Sequence, residues 1–165
     1  MTEVGVVFYW ESEKENRYSG NKWNLLLLHD TIKPLGANLL ILINPKQLPV
    51  PSFLDDEMKF EIYSSLEEAL ARHKEKEFVF LESPRNIPKD LEAVPLTQFK
   101  HPRGDTLYII GPDSSNLPLS ELAKKNLIKH LVTIRTVKNY SCWSFVVAGI
   151  ALFDRRAKLG RSNNS

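Results

Sequence analysis

The sequence predicts an α/β protein built as one domain, with a mostly parallel sheet of five or six strands and helices on both faces. Short runs of consecutive apolar residues recur along the chain, and runs without alternation suit strands covered on both sides. Helical segments separate these runs, and regular exchange of strand and helix argues for parallel pairing. At 165 residues, 42% hydrophobic and 25% charged, the chain fits one globular domain with a sizeable core.

The elements follow in order. Val4-Gly-Val-Val-Phe-Tyr-Trp10 reads as a buried first strand. Glu11 to Ser19 is a polar connection leading to Gly20-Asn21. A leucine-rich helix runs through Leu25–Leu28 toward Ile32 and stops near Pro34, with Gly36 as the turn residue. Asn38 to Ile43 is a second buried strand, ended by Asn44-Pro45. Ser64 and Ser65 precede Glu67 and Glu68 at capping-box spacing, which starts a helix reaching about His73. Phe78-Val-Phe-Leu81 is a third strand. The segment from Ser83 to Gly104, with Pro84, Pro88, Pro95 and Pro102, reads mostly as loop. Thr106–Ile110 is a fourth strand, Leu119–Asn126 a short helix and Leu131–Ile134 a fifth strand. A terminal helix then closes a domain of residues 1–160, and residues 161–165 read as a flexible tail.

Several function classes are disfavoured. The longest apolar run, Phe145–Phe153, is far below the roughly 20 residues of a bilayer span. Met1-Thr-Glu-Val lacks the start of a signal peptide. Cys142 is the only cysteine, so no intramolecular disulfide can form, and a reducing, cytoplasmic setting is expected. His29, His73, His101 and His130 lack metal-ligand spacing, so no metal is expected. No Gly-x-Gly-x-x-Gly or P-loop occurs. Charge is uneven: residues 120–165 carry +7 of a net +2, leaving −5 elsewhere. That suits a basic face for phosphates, or equally cationic helix ends opposing their dipoles.

Two segments carry the functional signal. Leu107-Tyr-Ile-Ile-Gly-Pro-Asp-Ser-Ser-Asn-Leu-Pro118 is a strand running into a polar turn, an arrangement that exposes backbone N–H groups beyond a strand end. Ser141 to Asp154 is almost entirely apolar, reads as a helix by its length, and should be buried on nearly every side, in the core or against a second subunit.

Together these segments resemble the SpoU/TrmH family of SPOUT RNA methyltransferases. Ile110-Gly111-Pro112-Asp113-Ser114-Ser115-Asn116-Leu117-Pro118 corresponds to the family's Phe-Gly-Pro-Glu-x-x-Gly-Leu-Pro loop, and Ser141 through Asp154 to its Ser-Leu-Asn-Val helix. Further forward, Val6-Val-Phe-Tyr9, Ser19-Gly20-Asn21 and Leu35 to Pro45 resemble the family's first strand, glycine turn and second strand. The resemblance implies a C-terminal trefoil knot, which is a sharp expectation because knots are very rare. It also implies S-adenosylmethionine held by the knotted loops, a homodimer, and methyl transfer to a ribose 2′-hydroxyl of tRNA or rRNA. Carried onto this chain, the cofactor-binding residues are Ile110, Gly111, Pro112, Asp113, Asn116, Leu117, Ile134 and Ser141. Asn116 stands for a glycine and is expected to tolerate a left-handed backbone. Arg135 stands near a common proline.

The catalytic candidates are Asn24, His29, Ser141 and Trp143. Asn24 occupies the place of the family's arginine counted from Gly20, and His29 lies near it counted back from Gly36. Trp143 replaces the asparagine of Ser-Leu-Asn and reads either as a stacking platform or as a core or interface aromatic. His29-Asp30 reads as a substitute base or as a helix-surface pair. Gly149 reads as a close-packing position. Candidate RNA contacts are Arg17, Lys138, Arg155, Arg156 and Lys158. Val146, Gly149, Ile150 and Phe153 form the expected subunit-contact stripe. Two function classes result: an RNA methyltransferase with altered catalytic residues, or a catalytically silent SPOUT-fold dimer that binds RNA or protein. An unknotted nucleotide-binding domain is a distant third.

Overall fold

A computed structural model describes residues 1–10, 22–50, 58–112 and 115–161. Its centre is a seven-stranded sheet, parallel at every pairing, in the order β3-β2-β1-β6-β4-β7-β5. The strands are β1 (Val4–Tyr9), β2 (Leu39–Ile43), β3 (Lys59–Tyr63), β4 (Glu77–Leu81), β5 (Val94–Pro95), β6 (Thr106–Ile110) and β7 (His130–Thr133). The helices are α1 (Lys22–Ile32), α2 (Leu66–Arg72), α3 (Leu119–Lys124) and α4 (Ser144–Arg161).

The sheet has two strands more than the five expected runs, and both lie at edges. β3 is Lys-Phe-Glu-Ile-Tyr, half-covered and charged, so it lacks the apolar run that marks the central strands. Lys59 and Glu61 on that edge also discourage pairing with another chain. β5 is two residues long and sits within the proline-rich segment read as loop, pairing Val94 with Val132 and Pro95 with Thr133. Proline is tolerated there because an edge strand can leave one side of its ladder unpaired.

Alternate residues of each central strand feed opposite cores. On one face Val6, Phe8, Leu40, Leu42, Tyr108 and Val132 meet Leu25, Leu28 and Ile32 of α1 and Ala148, Ala151 and Leu152 of α4. On the other, Val7, Ile41, Phe80, Ile109 and Leu131 meet Leu66 and Leu70 of α2 and Leu119 and Leu122 of α3. The capping box forms as the spacing requires: Ser65 Oγ accepts from Glu68 N at 3.2 Å, and the Glu68 carboxylate reaches back to Ser64.

The last helix corrects an expectation. It starts at Ser144, three residues later than the apolar run, and continues to Arg161, where the flexible tail had been placed; residues 162–165 lie outside the described part. It is not buried all round. Ala148, Ala151 and Leu152 face the core, while Val146, Ile150 and Phe153 are exposed, Phe153 by 65%. Gly149 leaves that row and lies against α1, where an added Cβ would stand 2.9 Å from Thr31 Cγ2.

Candidate cofactor cleft

The sheet topology brings three strand ends together. Beyond the carboxyl ends of β4, β6 and β7 lies a cleft of ≈ 240 Å³, open to solvent. Strand ends of a parallel sheet are where α/β proteins place ligands. Leu81, Ile110, Ile134 and Val147 provide apolar surface, and Ser83, Asn86, Thr136 and Ser141 provide neutral polar groups.

Two loops frame this space. The first follows β6. Gly111 is tight there: a Cβ would meet Leu117 Cγ at 3.1 Å and Leu117 N at 3.3 Å. Leu117 N donates to Glu82 Oε2 at 3.1 Å, which fastens the loop to the end of β4. The second loop follows β7. Lys138 and Asn139 both take left-handed backbone angles, φ 52 and φ 57. That is an uncommon conformation for lysine. Arg85 Nη2 donates to the Lys138 carbonyl at 3.1 Å, and its guanidinium lies 5.4 Å from the centre of the Tyr140 ring. Thr136 Oγ1 donates to Tyr140 O at 2.5 Å, and Ser141 Oγ donates to Ser83 Oγ at 3.1 Å. Ser144 Oγ then joins the two loops by donating to the Gly111 carbonyl at 3.1 Å.

Of the residues singled out in sequence, Ile110, Gly111, Pro112, Asn116, Ile134 and Ser141 line the cleft. Leu117 is buried against Gly111 at its edge. Asp113 and Arg17 lie outside the described residues. Asn116 does not use the left-handed conformation expected of a glycine replacement; Asn126, Lys138 and Asn139 do. Cys142 precedes the apolar helix, exposed at the cleft's rim.

The other catalytic candidates stand apart from the lining. Asn24 and His29 are in α1, and the pair His29-Asp30 spans the helix surface: His29 is buried, with Nδ1 2.9 Å from Oδ1 of the exposed Asp30. Trp143 is 40% exposed, so it is not a core residue, and its carbonyl accepts from Val146 N and Val147 N as the helix starts.

The basic C-terminal segment is also corrected. Arg155 is buried and its Nη1 donates to the Pro102 carbonyl, while Lys158 Nζ donates to Leu96 O and Phe99 O and pairs with Asp154 at 2.6 Å. Both fasten α4 to the segment before β6. Arg156 and Lys138 are exposed, whereas the Arg161 side chain lies outside the described residues.

Sequence reading missed Glu82, Arg85 and Tyr140. Only Glu82 left a signal, as a carboxylate placed directly after the apolar strand Phe78–Leu81. The other two acquire meaning only from each other. Among the described residues no cluster of three or more His, Cys, Asp or Glu could hold a metal ion, and no helix is long and apolar enough to cross a membrane.

The chain is thus a parallel α/β fold with a cleft at the ends of β4, β6 and β7, framed by these two loops. Solved structures of RNA methyltransferases carry it. A Bacillus anthracis protein assigned as an RNA methyltransferase matches at TM-score 0.68 and 22% identity, over 95% of this chain and 94% of that one. The TrmH/SpoU tRNA modifying enzyme of A. aeolicus matches at TM-score 0.64 and 13% identity, over 99% and 80%. An AdoMet-bound rRNA methyltransferase from Sinorhizobium meliloti matches at TM-score 0.63 and 17% identity, over 95% of this chain and 57% of that one, so this chain spans little more than half of it. No family model matches the sequence, and no curated protein matches it.

Proposed function

We propose that this chain is an S-adenosylmethionine-dependent RNA methyltransferase acting on a ribose 2′-hydroxyl of tRNA or rRNA, working as a cytoplasmic homodimer. The observation that carries the reading is the coincidence of motif and cavity: six of the eight residues matched to the family's cofactor loops line one cleft. The donor set fits the cofactor. Apolar surface suits an adenine, neutral hydroxyl and amide groups suit a ribose, and the described lining has no lysine or arginine of the kind a phosphate needs. The close fit of Gly111, Leu117 and Ser144 supports a trefoil knot in which α4 returns past the β6 loop.

The cofactor, when bound, supplies an electrophilic methyl group. The chain's own residues bind and orient it. Backbone at Ile110, Gly111 and Ile134 fixes its position, and Ser141, bonded to Ser83, holds the rim. RNA approaches the mouth of the cleft, where Arg85, Arg135 and Lys138 are exposed and Arg85 lies over the exposed Tyr140 ring. Cations beside an exposed aromatic ring suit a phosphate backbone with unstacked bases. Arg156 stands away from that face, with its guanidinium beside Gly36 ahead of β2, and Arg155 and Lys158 hold the helix. The row Trp143, Val146, Ile150 and Phe153 is the subunit contact.

One observation favours the silent-dimer alternative: Asn24 and His29, the substitutes for the family's arginine, lie outside the cleft of their own subunit. Titration calorimetry with S-adenosylmethionine, followed by 2′-O-methyl mapping of tRNA and rRNA incubated with protein and cofactor, separates the readings. Binding with a new 2′-O-methyl mark supports the enzyme. Binding without a mark supports the silent dimer, and absence of binding rejects the cofactor site.

A further inference from the structure

Among the described residues lining the cleft, Glu82 is the only charged side chain. It is the first residue beyond β4, and its position is tightly determined. Oε1 accepts from Ser83 N at 2.8 Å and from Asn86 Nδ2 at 3.2 Å, and Oε2 accepts from Leu117 N at 3.1 Å. All three donors are neutral. Arg85, the nearest cation in sequence, turns away to the Lys138 carbonyl and the Tyr140 ring. Glu82 therefore carries a half-buried negative charge with no ion-pair partner among the described residues.

Neutral donors stabilise a carboxylate without cancelling its field. In a partly enclosed site that field reaches a ligand with little screening, and it acts on net charge whichever atoms touch. A ligand that brings a positive charge relieves the uncompensated carboxylate; a neutral ligand does not, and a phosphate-bearing nucleotide is opposed.

We infer that Glu82 is the residue that makes this cleft prefer a cationic sulfonium or ammonium ligand over a neutral thioether of the same shape. The inference rests on the cofactor reading above and adds a specificity element to it. Methyl transfer removes the sulfonium charge, so the same carboxylate that favours S-adenosylmethionine releases its grip on S-adenosylhomocysteine. Product inhibition is thereby limited by one side chain that also ties the β6 loop in place.

The test is titration calorimetry with three ligands: S-adenosylmethionine, S-adenosylhomocysteine, and sinefungin, which has an ammonium group in place of the sulfonium. The wild-type protein should bind both cations more tightly than the thioether by on the order of tenfold, the effect of a unit charge several ångströms away in a medium of intermediate dielectric. Glu82→Gln should bring the three affinities within about twofold of one another, by weakening the cations. Because Gln offers one acceptor where Glu offers two, Asn86→Lys is the second variant. It leaves Glu82 intact and supplies the missing counter-ion, and it should shrink the preference in the same way. Equal binding of all three ligands by the wild type overturns the inference and leaves the cofactor site standing. A preference that survives in both variants overturns the role of Glu82. Failure of the wild type to bind any of the three overturns the inference together with the cofactor reading.

Discussion

Tyr108 Oη lies 2.6 Å from His101 Nδ1, and the other ring nitrogen of His101 lies 2.8 Å from Asp154 Oδ2. One imidazole thus joins a central strand to the last helix. The arrangement suits a neutral ring that accepts from the tyrosine hydroxyl and donates to the carboxylate. Burial pushes the Tyr108 hydroxyl up to about 12, so it remains a donor.

The first prediction follows from that link. Burial lowers the His101 pKa below its usual 6.5, Asp154 works against the shift, and Lys158 and Arg155 add to it. In the unfolded chain the ring titrates near 6.5, so just below that pH the unfolded state binds more protons and stability is lost as the pH is lowered. The urea midpoint should drop between pH 7.5 and 5.5. His101→Gln should be less stable at pH 7.5 and should lose less over the same interval. Equal pH slopes for the two proteins would remove His101 from the account.

Packing of α1 on α4 gives the second. An added Cβ at Gly149 stands 2.9 Å from Thr31 Cγ2, closer than side-chain carbons approach without a shift. Gly149→Ala should therefore destabilise by about 1 kcal/mol, despite the better helix propensity of alanine. In a Thr31→Ser background, where the methyl is gone, the same change should become neutral or stabilising. Denaturant unfolding of the four proteins in this cycle measures the coupling.

Third, Phe153 and Ile150 should control assembly. They are exposed with Val146 and Trp143 in one row along the start of α4, and such a row marks a contact surface. Phe153→Asp with Ile150→Asp should shift the sedimentation coefficient from dimer to monomer at micromolar concentration, with the circular dichroism spectrum retained. A wild-type protein already monomeric at that concentration rejects the dimer.

Charge reversal tests the RNA face. Arg85→Glu with Lys138→Glu should weaken RNA binding at least tenfold at low salt and flatten its salt dependence, since each lost phosphate contact removes counter-ion release. Arg156→Glu should have a smaller effect. Arg155→Gln should instead lower thermal stability, because its guanidinium is buried against the Pro102 carbonyl. Equal effects of Arg85→Glu and Arg155→Gln on RNA binding would mean that the basic face is wrongly drawn.

Much of the fold was legible because central strands of a parallel sheet must be apolar on both faces, and Leu39–Ile43 or Thr106–Ile110 can be little else. The edge strands were not legible. Half-covered Lys59–Tyr63 has no such constraint, and Val94–Pro95 is held in place by β7 alone.

At the cleft, both loops could be located from the sequence, because Ile110 to Leu117 and Ser141 match a family pattern and Gly111 stands where Leu117 leaves no room for a Cβ. What each charge does depended on contacts between distant segments. Arg155 and Lys158 read as phosphate contacts until α4 is seen lying on Leu96, Phe99 and Pro102. Glu82 reads as the polar end of a strand until Leu117, 35 residues away, donates to it. A charge has no role written in its own identity. Its partners and solvent exposure set that role, and both come from chain segments far apart in the sequence.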